Sequence, residues 1–156
     1  MSSTIEDNDN APSLGIAAGI FRGVTRALID ADHGVLPEMP LANGRRADLA
    51  GIDHVGQITI VEVKSSLADY RSDHKWQDYL DYCDAFYFAV TSEFPLDVLS
   101  EEEGLIIADQ FTAEIIRPAQ HRPLSAARRK AMLIRFARLA AGRFQTIVDL
   151  SAEGGR

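Results

Sequence analysis

The chain has little that would tie it to a membrane, a zinc cluster or an oxidising compartment. It contains one cysteine, Cys83, so no internal disulfide can form, and a lone thiol suits a reducing cytoplasm. That sulfur and the four histidines, His33, His54, His74 and His121, show no zinc-ligand spacing; the histidines are expected at the surface. No run of 18 apolar residues occurs, so no membrane-spanning helix is expected. The opening MSSTIEDNDNAPS lacks the basic start and apolar stretch of a signal peptide, and residues 1–13 are expected to be a disordered lead. Repeats and low-complexity tracts are absent as well.

Positive charge is also scarce. Sixteen Lys and Arg face 23 Asp and Glu, a net charge of −7, which argues mildly against a nucleic-acid partner because phosphates want positive surface. The distribution softens this. Residues 117–156 hold nine basic side chains and two acids (Asp149 and Glu153), and the rest holds seven against 21. An acidic body is followed by a basic C-terminal segment.

What is present is enough for one core: 156 residues, 46% hydrophobic. LGIAAGIFRGVTRALIDA (14–31) has helical patterning, with Ser13 as cap and Gly15, Gly19 and Gly23 on one face, suited to close packing on a sheet. Arg22 and Arg26 argue against reading that stripe as a membrane dimerisation face. Val35–Leu41 reads as an edge or irregular strand, because Pro37 and Pro40 cannot donate to a ladder. NGRRADLAGID and GQITIVEVKSS read as a hairpin. Residues 67–84 are expected as one helix, capped by Ser66 with Asp69 and burying Trp76, Tyr79, Leu80 and Cys83. AFYFAVT is a buried strand, EFPLDVLSEEEG a surface connection, LIIADQ and AEIIRP a strand pair, and PLSAARRKAMLIRFARLAAGRF a helix that Ser125 can cap. The order predicts one α/β domain over 14–146, helices on a mixed sheet, with 147–156 as a tail.

The hairpin carries the chemistry. A three-residue turn at His54-Val55-Gly56, with Gly56 in the left-handed position, pairs residues whose numbers sum to 110. Asp48 then lies opposite Glu62, their Cβ atoms about 4.5–5.5 Å apart. Lys64 points to the same face, because strand side chains alternate. Two carboxylates so close repel in a dry site unless one holds a proton or a divalent cation joins them. Mg²⁺ prefers hard oxygen donors and commonly takes one or two carboxylates. An Asp, Glu and Lys together also describe an ordinary salt-bridged hairpin. That reading is weakened by the apolar residues on both faces of the strand, Ile58 and Ile60 on one and Val61 and Val63 on the other.

RADLAG followed by IVEVKSS resembles the active-site pattern of the PD-(D/E)XK nuclease superfamily. More closely, LPEMPLANGRRADLAG, IVEVKSSLADYRSDHKWQDYLDYCDAFYFAV and RRKAMLIRFARLAA resemble the MmcB-like family of bacterial DNA repair endonucleases. The resemblance spans roughly residues 14–141. It implies a restriction-endonuclease-like three-layer fold and metal-dependent DNA cleavage with Mg²⁺, for which Mn²⁺ substitutes. It implies Asp48, Glu62 and the Val63 carbonyl as metal donors and Lys64 as catalytic lysine. Relatives often add an acid from the first helix; here Glu38 stands in as auxiliary acid. Ala47 replaces the proline of the superfamily name. DNA is the implied partner, and a homodimer or repair-protein partners are compatible with it. A non-catalytic DNA- or partner-binding module on the same fold is the alternative, and hydrolysis of RNA or another phosphodiester a weaker third.

Phosphate contacts are assigned to Arg45, Arg46, Arg71, Lys75, Arg128 and Arg135, although a solvated face explains Arg71 and Lys75 equally well. Arg128, Arg135 and Arg138 share one side of the C-terminal helix. Trp76 and Tyr79 are read as core rather than base-stacking residues. Gln77 lies on the same helix, but spacing alone does not bring it to the metal site.

Overall fold

The computed structural model describes residues 15–155, so the lead at 1–13, with Ser13, lies outside the described residues. The elements in chain order are α1 (Ile16–Asp30), β1 (Gly34–Pro40), β2 (Arg46–Ile52), β3 (Ile58–Val63) and α2 (Leu67–Ser72). A 3₁₀ segment (Trp76–Tyr82) leads to β4 (Ala85–Val90). A 3₁₀ turn at Leu96–Val98 precedes β5 (Gly104–Ala108), β6 (Ala113–Arg117) and α3 (Ala126–Gly154). The six strands form one sheet in sequential order. The ladders β1–β2, β2–β3 and β5–β6 are antiparallel, whereas β3–β4 and β4–β5 are parallel. This is the expected α/β domain, a mixed sheet between helices.

The register follows from the turn. Gly56 sits at φ +83°, a conformation that costs glycine little. The Asp53 carboxylate accepts from the N–H groups of Val55 and Gln57. Ile52 then pairs with Ile58 and Leu49 with Val61, the expected sum of 110. β1 is an edge strand, which is where its two prolines can be accommodated.

Alternation along β3 builds both layers. Val61 and Val63 pack with Ile20 and Val24 of α1, with Leu49, and with Ala89, Ile106 and Ala108. Ile58 and Ile60 pack on the other side with Phe86, Phe88, Tyr79, Cys83 and Met132 of α3. Each such side chain taken fully out of water contributes roughly 1.5–3 kcal/mol. Trp76 and Tyr79 belong to this core: their rings stack on Phe86 with centroids 5.8 and 6.0 Å away.

Two helices depart from expectation. Residues 67–84 do not form one helix. Ser66 Oγ accepts from the Asp69 N–H and starts α2 as expected, but the helix ends after one and a half turns. The Asp73 carboxylate accepts from the Lys75 N–H, and an aspartate that satisfies its own backbone in this way competes with helix continuation. The stripe joining Arg71 to Lys75 is therefore broken. α3, in contrast, runs on through residues 147–154, where a tail was expected.

Candidate functional site

Two carboxyl groups lock the ends of β2 and β3 together. Glu62 Oε1 accepts from the Asp48 N–H at 3.0 Å, and Asp48 Oδ2 accepts from the Val63 N–H at 2.9 Å. The β2–β3 ladder ends at Leu49–Val61, and these two side-chain bonds join Asp48 to the Glu62–Val63 end of β3 one position further on. The pair stands at the carboxyl end of β3, where the sheet changes from antiparallel to parallel pairing. Ligands of open α/β sheets favour that end of the strands.

Glu62 is 5% exposed and Lys64 6%. Burial, then repulsion from Asp48, pushes the Glu62 carboxyl up to about 8. Burial also raises Asp48, against the opposing effect of its hydrogen bond from Val63. Near neutral pH a proton is therefore held in the pair. Burial and the charges of Glu62 and Asp48 together push the nearby Tyr79 hydroxyl up to about 12; it donates to the Arg46 carbonyl at 3.1 Å.

Lys64 does not reach back to Glu62. Its Nζ donates to Asp73 Oδ2 at 2.7 Å, with both side chains mostly buried. Burial would raise Asp73, but the bond from Lys64 and that from the Lys75 N–H outweigh it and hold the carboxyl below its usual range. The break between α2 and the 3₁₀ segment is what delivers this carboxylate. Asp69 adds a further negative charge felt at Asp48, and it also accepts from the Ser65 N–H. The sequence pattern gives Asp69 only a capping role and Asp73 none. The signal available for Asp73 was an aspartate two residues before a lysine, inside a pattern read as continuous helix.

Glu38 is the correction. Its register position is opposite Asp48, between the Pro37–Leu49 and Met39–Ala47 pairs, but that rung is missing. Glu38 has φ +50°, a left-handed conformation unusual for a residue with a Cβ. Either side of it the strands change face: Val35 and Leu49 pack toward α1, and Met39 and Ala47 toward α3. The Glu38 side chain is 61% exposed and lies 3.9 Å from Arg46. It is not brought to the carboxylate pair.

The arginines and lysine expected to meet phosphate fall into three groups. Arg45 is engaged by Asp78 at 3.0 Å. Arg46, Arg71 and Lys75 are exposed. Arg128 lies over the Tyr82 ring, 4.6 Å from its centroid, and lines a groove with Arg135 and Met132. Gln77 is exposed, as are His54, His74 and His121, while His33 is half-buried.

The donor set fits a hard divalent cation. Each carboxylate has one oxygen committed to the backbone and a second outside those bonds, and a cation would take the place of the shared proton. Among the described residues no three His, Cys, Asp or Glu side chains gather to hold a metal by themselves. A cation would rest on Asp48, Glu62 and backbone or solvent oxygen.

Fold and site together define an α/β domain with an acidic pair, Glu62 buried and Asp48 half-buried, and a buried lysine at the end of a central strand. The chain belongs to the DNA repair protein MmcB-like family, whose pattern it matches over residues 8–151, and the family name ties it to DNA repair. It is also similar to the solved structure of SPO1766, a protein of unknown function from Silicibacter pomeroyi. The two are 41% identical with a TM-score of 0.85, covering 89% of this chain and 95% of that one. No curated protein matches. No helix among the described residues is long and apolar enough to cross a membrane.

Proposed function

We propose that the protein is a metal-dependent DNA endonuclease acting in repair. The observation that carries this reading is the Asp48–Glu62 pair, two facing carboxyl groups held by each other's strands in a site dry enough to retain a proton. Asp48, Glu62 and the Val63 carbonyl would hold Mg²⁺, with Mn²⁺ able to replace it. When bound, the cation would supply Lewis acidity toward a phosphate oxygen and offset charge building on it.

The chain's own groups supply the rest. Lys64, fixed by Asp73, presents an ammonium beside the pair to orient the attacking water or to stabilise negative charge on phosphorus oxygens. Hydrolysis joins the water oxygen to phosphorus and breaks one phosphorus–oxygen ester bond, and the departing oxygen takes a proton. The Val63 N–H holds Asp48 in place throughout. Glu38 has no part while its side chain stays beside Arg46.

The test is cleavage of single-stranded, duplex, flap and branched DNA by purified protein with Mg²⁺ or Mn²⁺. Asp48→Asn, Glu62→Ala and Lys64→Ala should each lower the rate by about a hundredfold or more. Unchanged cleavage in Glu62→Ala and Lys64→Ala would refute the assignment. One observation favours a second reading, a DNA- or partner-binding module without catalysis: among the described residues no third acid joins the pair to hold a metal, and Lys64 is already paired. Undetectable Mg²⁺ and Mn²⁺ affinity, with DNA binding indifferent to Asp48→Asn, would select it.

A further inference from the structure

An open groove of about 570 Å³ separates α1 from β1, lined by Phe21, Arg22, Arg26, Pro37 and Glu38. Arg22 and Arg26 are exposed on successive turns of α1, about 6 Å apart along the axis. Neither has an acid within ion-pair distance among the described residues. Glu38, on the opposite wall, lies 3.9 Å from Arg46, itself 65% exposed. Two arginines and one carboxylate line the groove, a third arginine stands beside that carboxylate, and Asp30 follows a turn beyond Arg26. In a chain of net charge −7, this is a local reversal of sign. A polyanion repelled by the acidic body would meet attraction here.

The groove borders the strand next to Asp48, on the face of the sheet away from Glu62. Glu38 lies opposite Asp48 in register, and Arg46 precedes Asp48 by two strand positions, about 6.7 Å. Its β1 wall is fastened by α3, because the Arg143 guanidinium donates to the carbonyls of Pro37 and Glu38. That clamp ties the left-handed Glu38 turn to α3. Phe21 and Pro37 give an apolar floor beside the cationic rim of α1, an arrangement suited to a single strand whose sugars and bases rest on the floor while its phosphates meet arginine.

We propose that the α1–β1 groove binds one DNA strand by its phosphates, at the sheet edge one strand over from Asp48. The proposal rests on the chain acting on DNA, not on cleavage. It assigns to Arg22 and Arg26 a role that their place on a core helix conceals in the sequence.

The experiment measures binding of a labelled 20-nucleotide single strand and the matching duplex by fluorescence anisotropy over a salt series without divalent metal. Wild type is compared with Arg22→Glu/Arg26→Glu and with Arg135→Glu/Arg138→Glu on α3, each first checked for a wild-type melting temperature. The α1 variant should bind single strands at least about tenfold more weakly. Its slope of log K against log salt should fall by about 1.5, the loss expected for two phosphate contacts. Wild-type affinity and slope in the α1 variant overturn the groove, as does a loss confined to the α3 variant or a wild-type protein that binds no single strand. Wild-type protein that binds through these arginines but never cuts supports the groove and refutes the nuclease. Cleavage that proceeds with Arg22→Glu/Arg26→Glu binding unchanged does the reverse.

Discussion

The Lys64 ammonium is 2.7 Å from the Asp73 carboxylate, and the two side chains are only 7% and 15% exposed. Removing one member of such a pair leaves the other charge stranded, and this typically costs about 3–5 kcal/mol when burial is deep. Partial exposure of Asp73 puts Lys64→Met toward the lower end, about 3 kcal/mol. Adding Asp73→Asn to that variant should restore much of the loss, a coupling that urea unfolding of the four proteins will measure. Strictly additive losses would show that the pair is not a unit. In cleavage assays Asp73→Asn should lower kcat more than it raises KM, because Lys64 loses its fixed position, and Asp73→Glu should recover part of the rate.

The raised Glu62 carboxyl sets a pH dependence. Its ordinary value is 4.5 and burial with Asp48 takes it to about 8, so between those values the folded chain holds a proton that the unfolded chain has released. The contribution of Glu62 to the stability of the metal-free protein is fully present below pH 4.5 and declines as pH rises toward 8. A cation that replaces the proton should oppose this decline, and its affinity should strengthen with pH over the same window. Melting curves from pH 5 to 8.5, with and without Mg²⁺, test both points. The Glu62→Gln protein should show a flatter metal-free profile; a wild-type profile equally flat would contradict the buried proton.

The hairpin was legible in sequence because its turn has one low-cost solution. Gly56 in the left-handed region sets the register, and the register puts Asp48 against Glu62. The two-faced apolar pattern of β3 likewise announced a central strand. What remained hidden depended on local backbone choices that periodicity does not encode. The apolar spacing of Trp76, Tyr79 and Leu80 is satisfied by a 3₁₀ segment as well as by an α-helix, so the break that aims Asp73 at Lys64 left no trace in it. The positive φ at Glu38 changed the face of an edge strand and took the expected auxiliary acid out of the site.

Asp84 ties α3 to the sheet. Its carboxylate accepts from the N–H groups of Ile58 and Leu124 and forms a two-point pair with Arg129. Burial alone would raise it, but the Arg129 pairing and the backbone bonds bring it down to about 2. The stability it contributes is present above the ordinary value of 3.8 and is lost as pH falls toward 2. Asp84→Ala should cost about 3–5 kcal/mol, lowering the melting temperature by about 10 °C. A change of only a degree or two would mean that water or another side chain satisfies the four N–H donors that Asp84 had held.

The glycine stripe on α1 divides into residues that matter and residues that do not. A Cβ at Gly23 would stand 1.9 Å from the Asp109 carbonyl oxygen and 2.7 Å from that of Thr112, both in the β5–β6 turn. Backbone cannot step aside as a flexible side chain does, so the helix or the turn must shift. At Gly19 the nearest atom would be 3.6 Å away, ordinary contact, and at Gly15 nothing lies within 4 Å. Gly19→Ala should therefore be neutral or stabilising by up to about 1 kcal/mol, the helix-propensity gain over glycine. Gly23→Ala should destabilise by about 2–3 kcal/mol despite the same gain, because overpacking forces rearrangement. Urea midpoints of the two variants decide it, and a Gly23→Ala protein as stable as Gly19→Ala would show that α1 does not rest on the turn.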